Sequence, residues 1–139
     1  IKATREAGAE IVVVAVHWGV EYVLLPGQAQ KDLARFLVDQ GVDMVIGAHP
    51  HVIQPMEVVR NEAEDKDVLV VYSLGNLISN MKTADTRGGA LVKARIERGA
   101  DGKARMADRI PAAQKAHWEL FDRNARRIFN QHNRNVPSL

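Results

Sequence analysis

The sequence predicts an α/β domain built around parallel strands, and three observations carry that prediction. Three short apolar runs, at 11–16, 42–46 and 68–72, have the length and β-branched content of buried strands. A segment with helical periodicity lies between the first two. Each run stops abruptly at polar residues of the kind that line ligand sites beyond the carboxyl ends of strands.

The elements follow in order. Lys2 to Glu10 reads as the last turns of a helix that ends near Gly8. Ile11 to Val16 (IVVVAV) is continuous rather than alternating, which predicts a strand buried on both faces. After a loop with Pro26 and Gly27, Leu33, Ala34, Phe36 and Leu37 fall at helical spacing within Gln28 to Gln40, and Gly41 ends that helix. Val42 to Ile46 supplies the next strand, so strand, helix and strand form a crossover with a parallel pair. Further strands are expected at Met56 to Val59 and, after a polar turn at 61–66, at Val68 to Tyr72. Ala90 to Glu97 and Lys103 to Ile110 alternate around Gly99-Ala100-Asp101-Gly102, the pattern of a hairpin. Beyond Pro111, Trp118, Phe121, Ala125, Ile128 and Phe129 mark one stripe of an amphipathic helix.

Composition bounds the chemistry. With 46% hydrophobic and 26% charged residues the chain belongs with folded globular proteins. No apolar run approaches the roughly 18 residues of a membrane-spanning helix. The chain opens on Ile1, so the lack of a visible leader decides nothing. With no cysteine, any metal must be held by His, Asp, Glu or Asn. A net charge of +2 gives no argument for nucleic acid, and Arg123, Arg126, Arg127 and Arg134 read as a solvated helix face. No nucleic-acid partner is expected.

The candidate site residues stand at strand ends: His17 with Glu21, His49 with His51, and Ser73 with Asn76. Imidazole suits zinc, iron and manganese, and Pro50 stiffens the turn between His49 and His51. Gly47 permits the close backbone approach that such a loop needs. Glu21 reads either as a partner orienting an imidazole or as a solvated carboxylate. Asn76 reads as shaping the turn with Gly75 rather than touching substrate. Trp18 reads as a core or rim aromatic before a ligand platform, and His117 and His132 as solvated.

Three segments also carry a resemblance. His-Trp-Gly-Val-Glu-Tyr at 17–22, Gly-Ala-His-Pro-His at 47–51 followed by Gln54-Pro55, and Tyr-Ser-Leu-Gly-Asn at 72–76 resemble, in that order, the CapA family. These are bacterial capsule and poly-γ-glutamate synthesis proteins related to calcineurin-like metallophosphoesterases. The resemblance implies the C-terminal half of a calcineurin-like αββα sandwich over residues 1–111. To it are added an antiparallel hairpin and, at 112–139, a C-terminal amphipathic helix packed on the same domain. It implies that His17, His49 and His51 are metal ligands, with His17 and His49 on one cation and His51 on the other. Glu21 and Asn76 match positions near the site.

The departure from the family matters as much. Such enzymes draw a bridging Asp and an Asn-His element from their N-terminal half, and no carboxylate within residues 1–16 replaces them, since Glu6 and Glu10 precede the strand. The expectation is a phosphoesterase-type hydrolase with two divalent ions of the Mn, Fe or Zn class in the intact protein. This chain alone is expected to bind metal weakly or not at all and to be inactive. The alternative is a non-catalytic binding subunit of a polymer synthesis or export complex. Expected partners are the N-terminal half of the domain or a second copy, and an anionic polymer or phosphoester. The expected location is the cell envelope, with membrane anchoring in the parent protein left open.

Overall fold

A computed structural model describes residues 1–107. The helix expected over 112–139, with its arginines, His117 and His132, lies outside the described residues. In chain order come α1 (Lys2–Glu6), β1 (Val13–His17), α2 (Gln28–Asp39), β2 (Met44–Ala48), β3 (Met56–Asn61), β4 (Lys66–Val71), a 3-10 turn (Ala84–Thr86), β5 (Ile96–Arg98) and β6 (Ala104–Met106). Four strands form one sheet in the order β1-β2-β4-β3, and β5 and β6 pair separately as an antiparallel hairpin. β1, β2 and β4 run parallel, while β3 runs antiparallel to β4, so the sheet is mixed. The β1-α2-β2 crossover is the one its periodicity predicts.

α2 covers one face of the sheet. Ala34, Leu37 and Val38 pack with Val45, Val68, Val70 and Tyr72, and Val14 and Val16 of β1 close the side of this core. Val38, Val45, Val68 and Val70 are fully shielded. Each contributes on the order of 1.5 kcal/mol or more by leaving water. The buried stripe of α2 is Gln30, Ala34, Leu37 and Val38. Leu33 and Phe36, expected on that stripe, are instead 41% and 56% exposed. The stripe starts from Gln30, and a 3.6-residue period carried from there turns Leu33 and Phe36 outward.

β1 corrects a second expectation. Its burial alternates, with Val13, Ala15 and His17 exposed and Val14 and Val16 half-buried. The strand stands at the sheet edge with β2 as its ladder partner, and α2 shields only one of its faces. A run of β-branched residues reports strand propensity, whereas burial on both faces also needs a second covering layer. The hairpin strands are shorter than their alternation suggested, but the turn at 99–102 lies where its glycines place it.

Across the β3–β4 ladder, the buried Tyr72 hydroxyl donates to Glu57 Oε1 at 2.5 Å. Burial, reinforced by that carboxylate, raises the phenol well above its ordinary value. A raised value in the folded state gives stability that is complete below about pH 10, where an unfolded tyrosine titrates, and is lost as pH climbs further. Of the two tyrosines, Tyr72 is therefore expected to ionise only on unfolding. Denaturant midpoints should fall as pH rises beyond about 10, and Tyr72→Phe should flatten that slope. Reversible ionisation of both phenols in the folded chain would contradict this environment.

Candidate functional site

Strand register brings the histidines together. Val16 pairs with Gly47 and His17 with Ala48, so the two parallel strands deliver His17 and His49 to the same sheet edge. One more bond, from Trp18 N–H to Ala48 O at 3.1 Å, extends this alignment past the strand. The His17 and His49 ring centroids lie 4.4 Å apart with the planes at 45°. His51 follows at 6.2 Å from His49.

The backbone beneath them is forced. His49, His51 and Tyr22 have φ of +101°, +59° and +66°, a region that non-glycine residues enter at a cost of about 1–2 kcal/mol each. Tyr22 N–H donates to Pro50 O at 2.8 Å, which joins the two loops. Strain in three residues so close together is tolerated because neighbouring bonds over-determine the loops, and such clusters mark ligand sites.

Trp18 is core: its ring is buried, stacks on Tyr72 at 5.7 Å and donates from Nε1 to Tyr72 O at 2.8 Å. The indole crosses directly over Gly47, where a Cβ would lie 2.4 Å from Trp18 Nε1 and 2.0 Å from Tyr72 O. This close approach packs β2 against Trp18 and the end of β4.

Asn76 does more than turn the chain. Its Nδ2 donates to His51 O at 3.2 Å and Thr86 O at 3.0 Å, and its Oδ1 lies 3.0 Å from His51 Nδ1. Gly75, at φ +70°, makes the turn, and Asn76 spends its side chain on His51. Glu21 Oε1 sits 3.4 Å from His51 Nε2, both side chains being partly exposed. Tyr22 stacks beside the same ring at 6.1 Å. Ser73 is buried and its hydroxyl accepts from Gly75 N–H at 3.2 Å, a turn contact away from the imidazoles.

The sequence reading missed a supporting pair, Gln30 and Gln54. Both are buried, and Gln30 Nε2 donates to Gln54 Oε1 at 2.9 Å. Gln54 Nε2 reaches Val23 O at 2.8 Å, and Gln30 Oε1 accepts from Gly27 N–H at 3.0 Å. Together they hold the 19–27 loop, with Glu21 and Tyr22, against α2 and the end of β4. The available signal was a glutamine standing in the buried stripe of α2. Under this loop lies an apolar cavity of about 320 Å³ lined by Trp18, Val20, Val23, Leu25 and Leu33.

Three imidazoles fit a divalent transition metal in kind. They fall short in number and charge: among the described residues no group of three or more His, Asp or Glu is arranged to hold an ion. The nearest carboxylate, Glu21, serves His51, while Glu10 is engaged with Arg98 at the opposite end of β1.

Residues 1–81 match the model of the bacterial capsule synthesis protein family PGA_cap. The chain belongs to the PGA_cap family. His17, Glu21, His49, His51 and Asn76 all fall inside that match, and the β5–β6 hairpin lies beyond it. The chain is 39% identical over 95 residues to the PGA biosynthesis protein CapA of Bacillus subtilis (strain 168), covering 68% of this chain and 23% of that protein. It is 34% identical over 135 residues to the capsule biosynthesis protein CapA of Bacillus anthracis, covering 94% and 30% respectively. This PGA_cap chain thus spans less than a third of either relative.

Proposed function

We propose that this PGA_cap chain supplies the imidazole side of a divalent-metal site in a protein of poly-γ-glutamate capsule biosynthesis, and that the complete protein is a phosphoesterase-type hydrolase. The observation that carries the reading is the delivery of His17 and His49 to one sheet edge with ring centroids 4.4 Å apart and His51 alongside. His17 and His49 would hold one ion and His51 the other, both of the Mn, Fe or Zn class. The chemistry a bound pair supplies is polarisation of a phosphoryl oxygen and activation of water for in-line attack. Within this chain, Asn76 orients His51.

The carboxylates come, on this reading, from elsewhere in the parent protein. Two facts support it: the chain spans less than a third of its relatives, and β1 leaves an edge with Val13 48% exposed, onto which further strands can add. Residues 1–111 are then the C-terminal part of a calcineurin-like sandwich, with 112–139 packed on it as a helix. The substrate is a phosphoester or the anionic polymer itself, and the site of action is the cell envelope. Among the described residues no helix is long and apolar enough to cross a membrane.

The parent protein is expected to release product from a generic phosphodiester only with added Mn²⁺, and His49→Ala should lower that rate by roughly 10–100-fold. Metal binding without cleavage of any phosphoester or polymer bond would sink the hydrolase. It would favour a second reading, a non-catalytic subunit that binds polymer in this cleft. The observation on that side is the lack of a carboxylate beside His17 and His49 among the described residues.

A further inference from the structure

We propose that the C-terminal segment, residues 112–139, docks as a helix along α2 and closes the apolar cavity beneath the 19–27 loop. The inference rests on the reading above that this segment packs on the domain, and gives it a place. It begins with a second apolar stripe on α2. Ala29, Leu33 and Phe36 recur at helical spacing but face away from the core, Leu33 and Phe36 being 41% and 56% exposed. Leu25, just ahead of the helix, and Val20 and Val23 of the loop are exposed too. These residues adjoin, since Val20, Val23, Leu25, Ala29 and Leu33 line one cavity of about 320 Å³. Single exposed apolar side chains need no explanation, whereas a contiguous strip marks a surface that something covers. Among the described residues nothing shields it.

The occupant is written in the spacing. From Phe36 back to Leu25 the strip steps by three, four and four residues, through Leu33 and Ala29. From Trp118 forward to Phe129 the apolar stripe also steps by three, four and four, through Phe121 and Ala125. An antiparallel helix therefore sets Trp118 against Phe36, Phe121 against Leu33, Ala125 against Ala29 and Phe129 over Leu25. Two alanines meet midway, where small side chains let the axes approach toward the near end of the usual range of about 8–10 Å. Arg123 and Arg127, at about 100° per residue, fall on the far side and stay in water.

The path of the chain allows this direction. α2 starts at the imidazole end of the sheet, where Gln30 holds Gln54, and finishes at the other end, where Asp43 N–H donates to Val12 O. The β5–β6 hairpin is tied to that second end, with Arg98 on Glu10 and Ala104 N–H donating to Glu10 Oε1. The described chain thus leaves β6 near the Phe36 end of α2. Eleven residues separate Ala107 from Trp118. They reach up to about 36 Å at about 3.3 Å each, against about 18 Å for the whole of α2. A helix begun there runs back toward the imidazoles and ends beside the loop that carries Glu21 and Tyr22.

The test uses the 139-residue chain, which has no cysteine of its own. Under mild oxidation, Ala29→Cys with Ala125→Cys should close an intramolecular disulfide at least about tenfold faster than Lys31→Cys with Ala125→Cys, because Lys31 stands on the opposite side of α2 from Ala29. Equal rates overturn the docking, and a disulfide formed mainly between chains overturns it in favour of a second copy. Phe36→Asp changes an exposed residue and leaves the core intact. By freeing Trp118 it should roughly double the share of tryptophan emission that iodide quenches, Trp18 being buried throughout. An unchanged share also overturns the docking. Hydrogen exchange separates this failure from that of the reading beneath it. Protected amides in 112–139 without the Ala29 cross-link would place the packed helix elsewhere and overturn this site alone. Amides in 112–139 that exchange at coil rates overturn both.

Discussion

Gly47→Ala is expected to cost the fold about 3 kcal/mol or more, a large share of the 5–15 kcal/mol that holds a domain of this size. The added methyl would stand 2.0 Å from the backbone oxygen of Tyr72 and 2.4 Å from Trp18 Nε1. Neither neighbour is the free end of a flexible chain. Tyr72 O continues β4, and the indole is buried and committed to that same oxygen by a 2.8 Å hydrogen bond. Relief requires either spreading β2 from β4 or evicting Trp18, and each disturbs the strand that leads into His49. Gly27→Ala is the control, because a Cβ there meets nothing within 4 Å, and it should cost less than about 1 kcal/mol. Urea denaturation of the two variants separates the cases. Equal midpoints would show that the strands do not approach as closely as described. Gly47→Ala should also weaken metal binding beyond its effect on stability, since His49 leaves the strand two residues later.

That glycine shows where sequence reasoning reaches. A close approach at Gly47, histidines at strand ends and the β1-α2-β2 crossover were legible, because each is written in residues adjacent in the chain. The edge position of β1 was not, since strand order is decided by which strands find each other. IVVVAV reads the same in the centre of a sheet or at its rim. Leu33 and Phe36 looked like core for a related reason: apolarity at helical spacing gives a stripe its width but not its bearing. The bearing came from Gln30, a polar residue that is buried because Gln54 satisfies it. Asn76 illustrates the limit most sharply. Its choice of His51 over the adjacent turn spans 25 positions, and no local pattern announces it. Even so, one signal inside the second strand run passed unread. Asp43 is a charge set among apolar residues, and a charge there needs a partner.

Asp43 has several partners, and Asp43→Ala is expected to destabilise the chain by about 2–4 kcal/mol. Its carboxylate is only 10% exposed. Oδ2 accepts from Arg5 Nη2 at 2.5 Å and from Val12 N–H at 2.7 Å, and Oδ1 from Lys66 Nζ at 3.0 Å. The residue thereby ties α1, the start of β1 and the start of β4 to the start of β2. Removing it strands the Val12 N–H and leaves two cations facing each other, both still bound to Gly41 O. Asp43→Asn keeps an acceptor for Val12 and should recover about half the loss. By contrast, Asp39→Ala, which breaks an ion pair whose partners are about half exposed, should cost less than about 1 kcal/mol. If Asp43→Ala and Asp39→Ala unfold at the same urea concentration, the cluster contributes nothing and the account of this end of the sheet is wrong. The functional expectation is equally definite. Asp43 precedes β2 and His49 follows it, roughly 20 Å apart at about 3.3 Å per residue. In folded Asp43→Asn the His17, His49 and His51 spectra and their Mn²⁺ response should therefore match wild type. One end of the sheet carries the ion network that ties its elements together, and the other carries the strained loops on which any metal chemistry depends.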